Sequence, residues 1–381
     1  MVIIRNDANK INFVILMSPL SINNKVGEIL LDKLIKILIY ERQFNLKVIS
    51  GNLSDEITEK KNVEILYNFN YVAKKTLPFA SYYRYLLMQI GYAFSILQNR
   101  NNIDVCFFWI SSALFIPMVM AKLLRKKVII MATGNIGGNN SLIKIVEKCN
   151  YYLADFIGVE SLSVANHMGL IKYNEKIFSF HLYCENSFKE TINYNDRELI
   201  IGYLGRLSDE KGIIEFLSAT DLILKTNLDC KIIIGGDGLL RSFVEKEITE
   251  QKNKYGTERI TFLGWVPHNL QNNILNMLKL LVLPSKSEGL PNILIEAMAC
   301  GTPVLATPVG GIPDIIENGK NGFILKNNNP ETISNQVIEI ITMNNLKNIS
   351  KQALDIHKDY SFSSTVEYDM KSLSGVLEDT Y

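Results

Sequence analysis

Four glycine clusters stand in order between Ile200 and Asp314, each close to the end of a short apolar run. Ile200-Ile-Gly202-Tyr-Leu-Gly205-Arg206 leads into Lys211-Gly212, and Lys231-Ile-Ile-Ile runs into Gly235-Gly236-Asp237-Gly238. Glu288-Gly289-Leu290-Pro291 precedes a helical stretch, and Pro303-Val-Leu-Ala-Thr-Pro308-Val runs into Gly310-Gly311. One such cluster is an ordinary turn. Four, interleaved with helical periodicity, demand a parallel sheet, because strands running the same way need crossover connections and helices supply them. In open sheets of this kind ligands sit beyond the carboxyl ends of the strands, where these clusters fall. The glycine spacing is not that of a dinucleotide fingerprint.

The residue types at those ends suit an anionic ligand. Gly205 lets the backbone approach a ligand closely. Arg206 and Lys211 follow it; arginine can grip a phosphate with two parallel hydrogen bonds, and lysine supplies a compact charge. Further on, Glu288 lies in a loop and Glu296 in the helix behind it. Pro291 suits the first helical position, where its missing N–H is not needed, and Gly301 with Pro303 stops the helix. Ile293, Leu294, Ala297 and Met298 form an apolar stripe, with Glu296 off it on the face of Asn292. The N-terminus of such a helix favours phosphate.

Taken in order, these motifs resemble family 4 of the glycosyltransferases, retaining enzymes of the GT-B fold. The resemblance is carried by Gly205-Arg206-Leu with Lys211-Gly212, by Gly235-Gly236-Asp237-Gly238, by Pro284-Ser-x-x-Glu288-Gly-x-Pro with Glu296-Ala-Met-Ala, and by Gly301-x-Pro-Val with Gly310-Gly311. It is clear from residue 196 to about 325. It implies an α/β chain of two Rossmann-like parallel-sheet domains facing across a cleft, with a C-terminal helix crossing back to the first. The implied donor is a nucleotide diphosphate sugar. Arg206 and Lys211 would hold its diphosphate, Glu296 its ribose hydroxyls, and Glu288 with the backbone of Gly289 and Leu290 its sugar. Gly205, Gly236, Asp237, Pro291 and Asn292 complete the donor side. Retention at the anomeric carbon is implied as well. No enzymic nucleophile stands out, so the expectation is attack on the face of departure. No Asp-x-Asp stands at a strand end to hold a divalent ion, so no metal cofactor is expected. Two alternatives share the donor: a nucleotide-sugar 2-epimerase of the same fold, and a non-catalytic nucleotide-sugar-binding subunit.

The first half departs from the family pattern. The loop after its first strand reads Ser18-Pro-Leu-Ser-Ile-Asn-Asn24, without the Gly-Gly pair of many members. Where many carry a histidine near the reacting sugar, this chain has Met131-Ala-Thr133-Gly134-Asn135-Ile-Gly137-Gly138. Thr133 and Asn135 can donate hydrogen bonds on the acceptor side, but neither is a base at neutral pH. His181 and His268 read as structural or surface residues.

Alternation of strand and helix divides the chain into residues 1–190, a polar linker Glu185–Arg197, a second domain over 196–360 and a returning helix over 361–381. With 381 residues, 47% of them hydrophobic and 21% charged, it can fill two cores. Val105 to Ala121 is uncharged and at the short edge for a membrane span. Pro117 and Ser111-Ser112 divide it into a strand to Ile110 and a helix from Leu114 to Leu124. The five cysteines show no metal or redox spacing and the N-terminus is no signal peptide, which points to the cytoplasm. Charge is uneven. Residues 1–190 carry 22 Lys and Arg against 15 Asp and Glu, or +7, and residues 191–381 carry 18 against 24, or −6. The basic half contains Tyr82-Tyr83-Arg84-Tyr85 and Lys122-Leu-Leu-Arg125-Lys126-Lys127. That mixture suits peripheral contact with the anionic inner face of the cytoplasmic membrane, and a lipid-linked or saccharide acceptor. No nucleic-acid-reading motif accompanies it.

Overall fold

The central strands Val105–Trp109, Ile200–Leu204 and Leu280–Leu283 are apolar and buried along their whole length, and that is the mark of sheets covered on both faces. The computed structural model describes residues 10–18, 25–40, 43–69, 78–109, 113–132, 141–226 and 229–378. The chain forms two units, each on one parallel sheet. The first comprises Met1–Glu160, Gly169–Leu182 and Val366–Tyr381; the second comprises Ser161–Met168 and Tyr183–Thr365.

The first sheet contains β1 (Ile11–Met17), β2 (Phe44–Gly51), β3 (Val63–Phe69), β4 (Val105–Trp109), β5 (Lys127–Ala132), β6 (Phe156–Val159) and β7 (Ile177–Ser179). Their order is β3-β2-β1-β4-β5-β6-β7. Phe13 to Met17 are wholly buried at its centre. The helices α1 (Lys25–Tyr40), α2 (Pro78–Gln98), α3 (Phe115–Leu123) and α4 (Ser141–Leu153) make the crossovers. The chain winds outward from β1 to β3, then returns to β4 on the other side of β1. Right-handed crossovers therefore put α2, α3 and α4 together on the face opposite α1. The uncharged run from Val105 resolves into β4 and α3, with Pro117 in the first turn of the helix. Among the described residues no helix is long and apolar enough to cross a membrane.

The second sheet contains β8 (Ile200–Leu204), β9 (Lys231–Gly235), β10 (Ile260–Gly264), β11 (Leu280–Leu283), β12 (Val304–Ala306) and β13 (Phe323–Ile324), in the order β10-β9-β8-β11-β12-β13. The winding reverses between β8 and β11. Helices α5 (Leu162–His167), α6 (Ile213–Leu224), α7 (Arg241–Tyr255), α8 (His268–Met277), α9 (Asn292–Ala299), α10 (Pro330–Ile341) and α11 (Leu346–Ala353) follow in sequence, and α12 (Phe362–Glu378) ends the described chain. Tyr203, Phe216, Ile232 and Val282 are among the residues filling one face of the sheet.

The stretch Glu185–Arg197 is not a free linker. Phe188, Tyr194 and Arg197 are buried in the second unit. Arg197 donates to the carbonyls of Ile192, Leu278 and Cys300 and to Thr302 Oγ1. Its composition is polar, but those polar groups are satisfied inside the domain. Three further segments lie off a simple linear division. Cys184 N donates to Tyr360 O within the second unit. Ser163 Oγ donates to Asp314 Oδ1, which fastens α5 to the second unit. His181 Nδ1 lies 3.2 Å from Asp369 Oδ1, tying the end of the chain to the first unit.

Candidate functional site

Lys211 and Glu288 meet at the reversal point of the second sheet. Lys211 closes the loop after β8 and Glu288 lies in the loop after β11, on neighbouring strands. Lys211 Nζ donates to Glu288 Oε2 at 2.5 Å, and Ser285 Oγ donates to Oε1 at 2.7 Å. Glu288 is buried, whereas the Lys211 side chain keeps 25% of its exposure and so can still reach a ligand. The two loops are joined elsewhere too. Lys286 N donates to Glu210 O, and Lys286 Nζ pairs with Asp209 and Glu215. Beneath them Tyr203, 1% exposed, donates its hydroxyl to Arg206 O at 2.9 Å. Burial, chiefly, and the nearby Glu288 charge push that hydroxyl far up, so it stays a donor. Arg206 itself points outward, with its guanidinium 3.5 Å from Glu210 Oε1.

Glycines make the loop crossings possible. Gly236 and Gly212 each pass so close to another loop that a Cβ would overlap a carbonyl, that of Gly205 or of Pro284. Gly310, with φ at +58°, crosses the Glu288-Gly289 backbone in the same way. Gly311 N then donates to Gly289 O at 2.8 Å. At Gly205 a Cβ meets only ordinary contacts, so space there does not demand glycine. Asp237 is exposed, accepts from Gly238 N and pairs with Arg241.

Helix α9 begins one residue later than its sequence indicates. Pro291 is its N-cap, in extended conformation, and Asn292 is the first helical residue. Leu294 N donates to Pro291 O, which fixes the start. The helix is also more enclosed than one apolar stripe requires, because Leu294 through Ala299 are all buried. Glu296 is therefore no solvated acid: it is 4% exposed. Its Oε1 lies 3.3 Å from His268 Nε2, at the start of α8. His268 Nδ1 in turn lies 4.0 Å from Glu185 Oε2, and the Phe188 ring meets the imidazole edge-on. The sequence reads His268 as structural or surface; the structure puts it against Glu296, a candidate donor-side carboxylate. Leu290, buried, packs where a Cβ on Gly311 would stand. Thr133 and Asn135, and residues 19–24 of the loop after β1, lie outside the described residues. Among the described residues no three or more His, Cys, Asp or Glu side chains gather as a metal site.

The class these features define is a pair of doubly wound parallel-sheet domains, the second with a lysine–carboxylate pair at its topological switch point. Residues 185–354 match the family described as glycosyl transferases group 1. An alpha-D-kanosaminyltransferase of Streptomyces kanamyceticus is 30% identical over 137 residues, which are 36% of this chain and 34% of that protein. A UDP-Gal:alpha-D-GlcNAc-diphosphoundecaprenol alpha-1,3-galactosyltransferase of Escherichia coli is 29% identical over 168 residues, 40% of this chain and 42% of that one. The matched region spans about a third to a half of the length of such relatives. The likeness in fold extends further. The Anabaena protein HepE, solved in complex with UDP, superposes with a TM-score of 0.74 at 16% identity, covering 96% of this chain and 100% of that one. The fold is thus that of GT-B glycosyltransferases.

Proposed function

We propose that the chain is a glycosyltransferase that moves a sugar from a nucleotide diphosphate sugar to a hydroxyl, with retention, in the synthesis of a cell-surface polysaccharide or glycoconjugate. The observation that carries this reading is the contact of Lys211 with Glu288 at the switch point, next to the start of α9. A diphosphate placed there takes Lys211 as counter-charge, with Arg206 swinging in from solvent. Glu288 is then released to the donor sugar, and Glu296 takes the ribose hydroxyls. In the reaction the bond from the anomeric carbon to the phosphate oxygen breaks, and its electron pair leaves with the nucleotide diphosphate. The acceptor oxygen bonds to the same face of that carbon, and its proton passes to the departing phosphate oxygen. The two cations stabilise the charge as it develops, without a metal ion. The acceptor is lipid-linked or a saccharide, and the enzyme works in the cytoplasm at the inner face of the membrane. The diphosphoundecaprenol acceptor in the name of the Escherichia coli relative supports the lipid-linked choice.

A thermal-shift panel of UDP, GDP, ADP and TDP, followed by their sugars, tests the donor site, because a ligand of the folded state raises the melting temperature. One base should stand out, and HepE makes UDP the first to try. No shift with any of them would remove the donor reading. Transfer should survive EDTA; loss that Mg²⁺ or Mn²⁺ restores would remove the metal-free scheme.

A further inference from the structure

Helix α2 is apolar on both sides. Met88, Tyr92, Ala93 and Ile96 are buried against the first unit. Yet every exposed side chain described from Tyr83 to Leu97 is apolar as well: Tyr83, Leu86, Leu87, Ile90, Phe94 and Leu97. Tyr83 is 63% and Phe94 56% exposed. An ordinary surface helix is polar on its outer side; one that is apolar all round is normally enclosed. This stripe has the spacing of one helical face and runs from Tyr83 to Leu97. The neighbouring helices continue it. Leu123 at the end of α3 and Ile145 and Tyr152 on α4 are exposed, and α2 packs on α3 and α3 on α4.

Charge identifies what covers this face. Residues 78–153 hold eight Lys and Arg (84, 100, 122, 125, 126, 127, 144, 148) against Asp104 and Glu147, so +6. Asp104 is bonded to Asn12, and Glu147 is buried. Helices of a parallel sheet run against their strands, so α2, α3 and α4 all end at the edge where β4, β5 and β6 begin. Arg100 and Arg125, both exposed, therefore stand beside Leu97 and Leu123 at that edge, and Lys148 is exposed a turn before Tyr152. Lys122, which the sequence offers as a contact, is engaged with Asp155 at 2.7 Å. Of the cations in the Lys122–Lys127 cluster, Arg125 is the exposed member.

We propose that the outer face of α2, with the ends of α3 and α4, docks on an anionic lipid bilayer. The apolar stripe enters the boundary of headgroups and acyl chains while Arg100, Arg125 and Lys148 lie among the phosphates. A second copy of the chain fits worse, because two faces that each present Arg100, Arg125 and Lys148 repel. The inference rests on the glycosyl-transfer reading only for its purpose, delivery of a lipid-linked acceptor, and its test needs no transfer.

The full chain is sedimented with vesicles of phosphatidylcholine alone and of phosphatidylcholine with phosphatidylglycerol, at low and high salt. It should pellet with the anionic vesicles and be released by salt. Two variants dissect the face: Leu86→Gln/Ile90→Gln/Phe94→Gln and Arg100→Gln/Arg125→Gln/Lys148→Gln. Each should lose at least about tenfold in affinity, the first at all salt concentrations and the second mainly at low salt. The substituted side chains are exposed, and an unchanged melting curve confirms an intact fold. Should either variant melt early, the single variant Phe94→Trp gives an independent readout, a blue shift of emission beyond the native background when anionic vesicles are added. No binding to anionic vesicles at low salt overturns the proposal. So does binding that ignores the apolar triple variant, an emission from the Phe94→Trp variant that ignores vesicles, or a dimer that the triple variant dissociates. Vesicle binding without any nucleotide shift would leave this face standing and remove the transfer reading.

Discussion

Glu288 is a buried carboxylate whose neighbours in the structure are Lys211 and Ser285. Truncation of the lysine leaves that charge poorly compensated, so Lys211→Ala should lower stability by about 1–3 kcal/mol in denaturant melts as well as slow transfer about a hundredfold. Arg206 is exposed and pairs loosely with Glu210. Arg206→Ala should slow transfer by a similar factor and leave the melt unchanged. Near-normal turnover in both variants would place the diphosphate elsewhere. The acids divide differently. Glu296→Ala should mainly weaken nucleotide binding in titration calorimetry, and Glu288→Ala should mainly lower turnover. His268→Ala should resemble Glu296→Ala, and His268→Gln should recover part of the affinity by donating to the same oxygen. Equal losses of nucleotide affinity in the Glu288 and Glu296 variants would contradict this division. The two acids are legible in sequence because a short loop and helix set their spacing. The histidine is not, since 28 residues and the whole of α8 and β11 separate it from Glu296.

Loop crossings decide how the elements hold these side chains. Gly310 and Gly319 both have left-handed φ, +58° and +77°, but only Gly310 presses on other backbone, at Glu288 and Gly289. Gly319→Ala should therefore cost only the conformational strain, about 1 kcal/mol. Gly310→Ala should cost more than about 2 kcal/mol and reduce turnover, because the Glu288 loop must move. Midpoints of chemical denaturation, with transfer rates, compare the two; equal midpoints would mean that the crossing is looser than it looks. Strands such as β8, β9 and β11 stand out in sequence because both their faces are buried. Strands β7 and β13, of three and two residues, are too short to show any pattern. The polar segment before β8 reads as a linker because its buried groups are satisfied by distant carbonyls, which local composition cannot reveal.

For the whole molecule, Asp369 couples stability to pH. It is fully buried on α12, its Oδ2 has no hydrogen-bond partner, and burial raises its carboxyl to about 6 against the pull of the His181 hydrogen bond. The folded state thus holds this proton more tightly than the unfolded chain. The stabilisation is greatest while the group is protonated and is lost as pH rises from about 4 to about 6, with no further change above. A shift of this size corresponds to about 2–3 kcal/mol. Asp369→Asn should remove that loss, so urea midpoints of the native protein should fall relative to the variant between those pH values. Parallel curves would show that the carboxyl titrates normally. At this scale the two parallel sheets were plain from alternation alone, whereas the partner of His181 was not, lying 188 residues further on.

The chain changes units at Glu160, Met168, Leu182 and Thr365. Such interlacing limits how the protein can be recombined. A chimera joined once, between the two sheets, would inherit the partner of His181 from the wrong parent. Exchange of the second sheet between relatives needs two junctions, near residues 182 and 366, and two more, near 160 and 168, so that α5 travels with it and Ser163 keeps Asp314. The second unit is therefore an insertable cassette only when all of its junctions are chosen together.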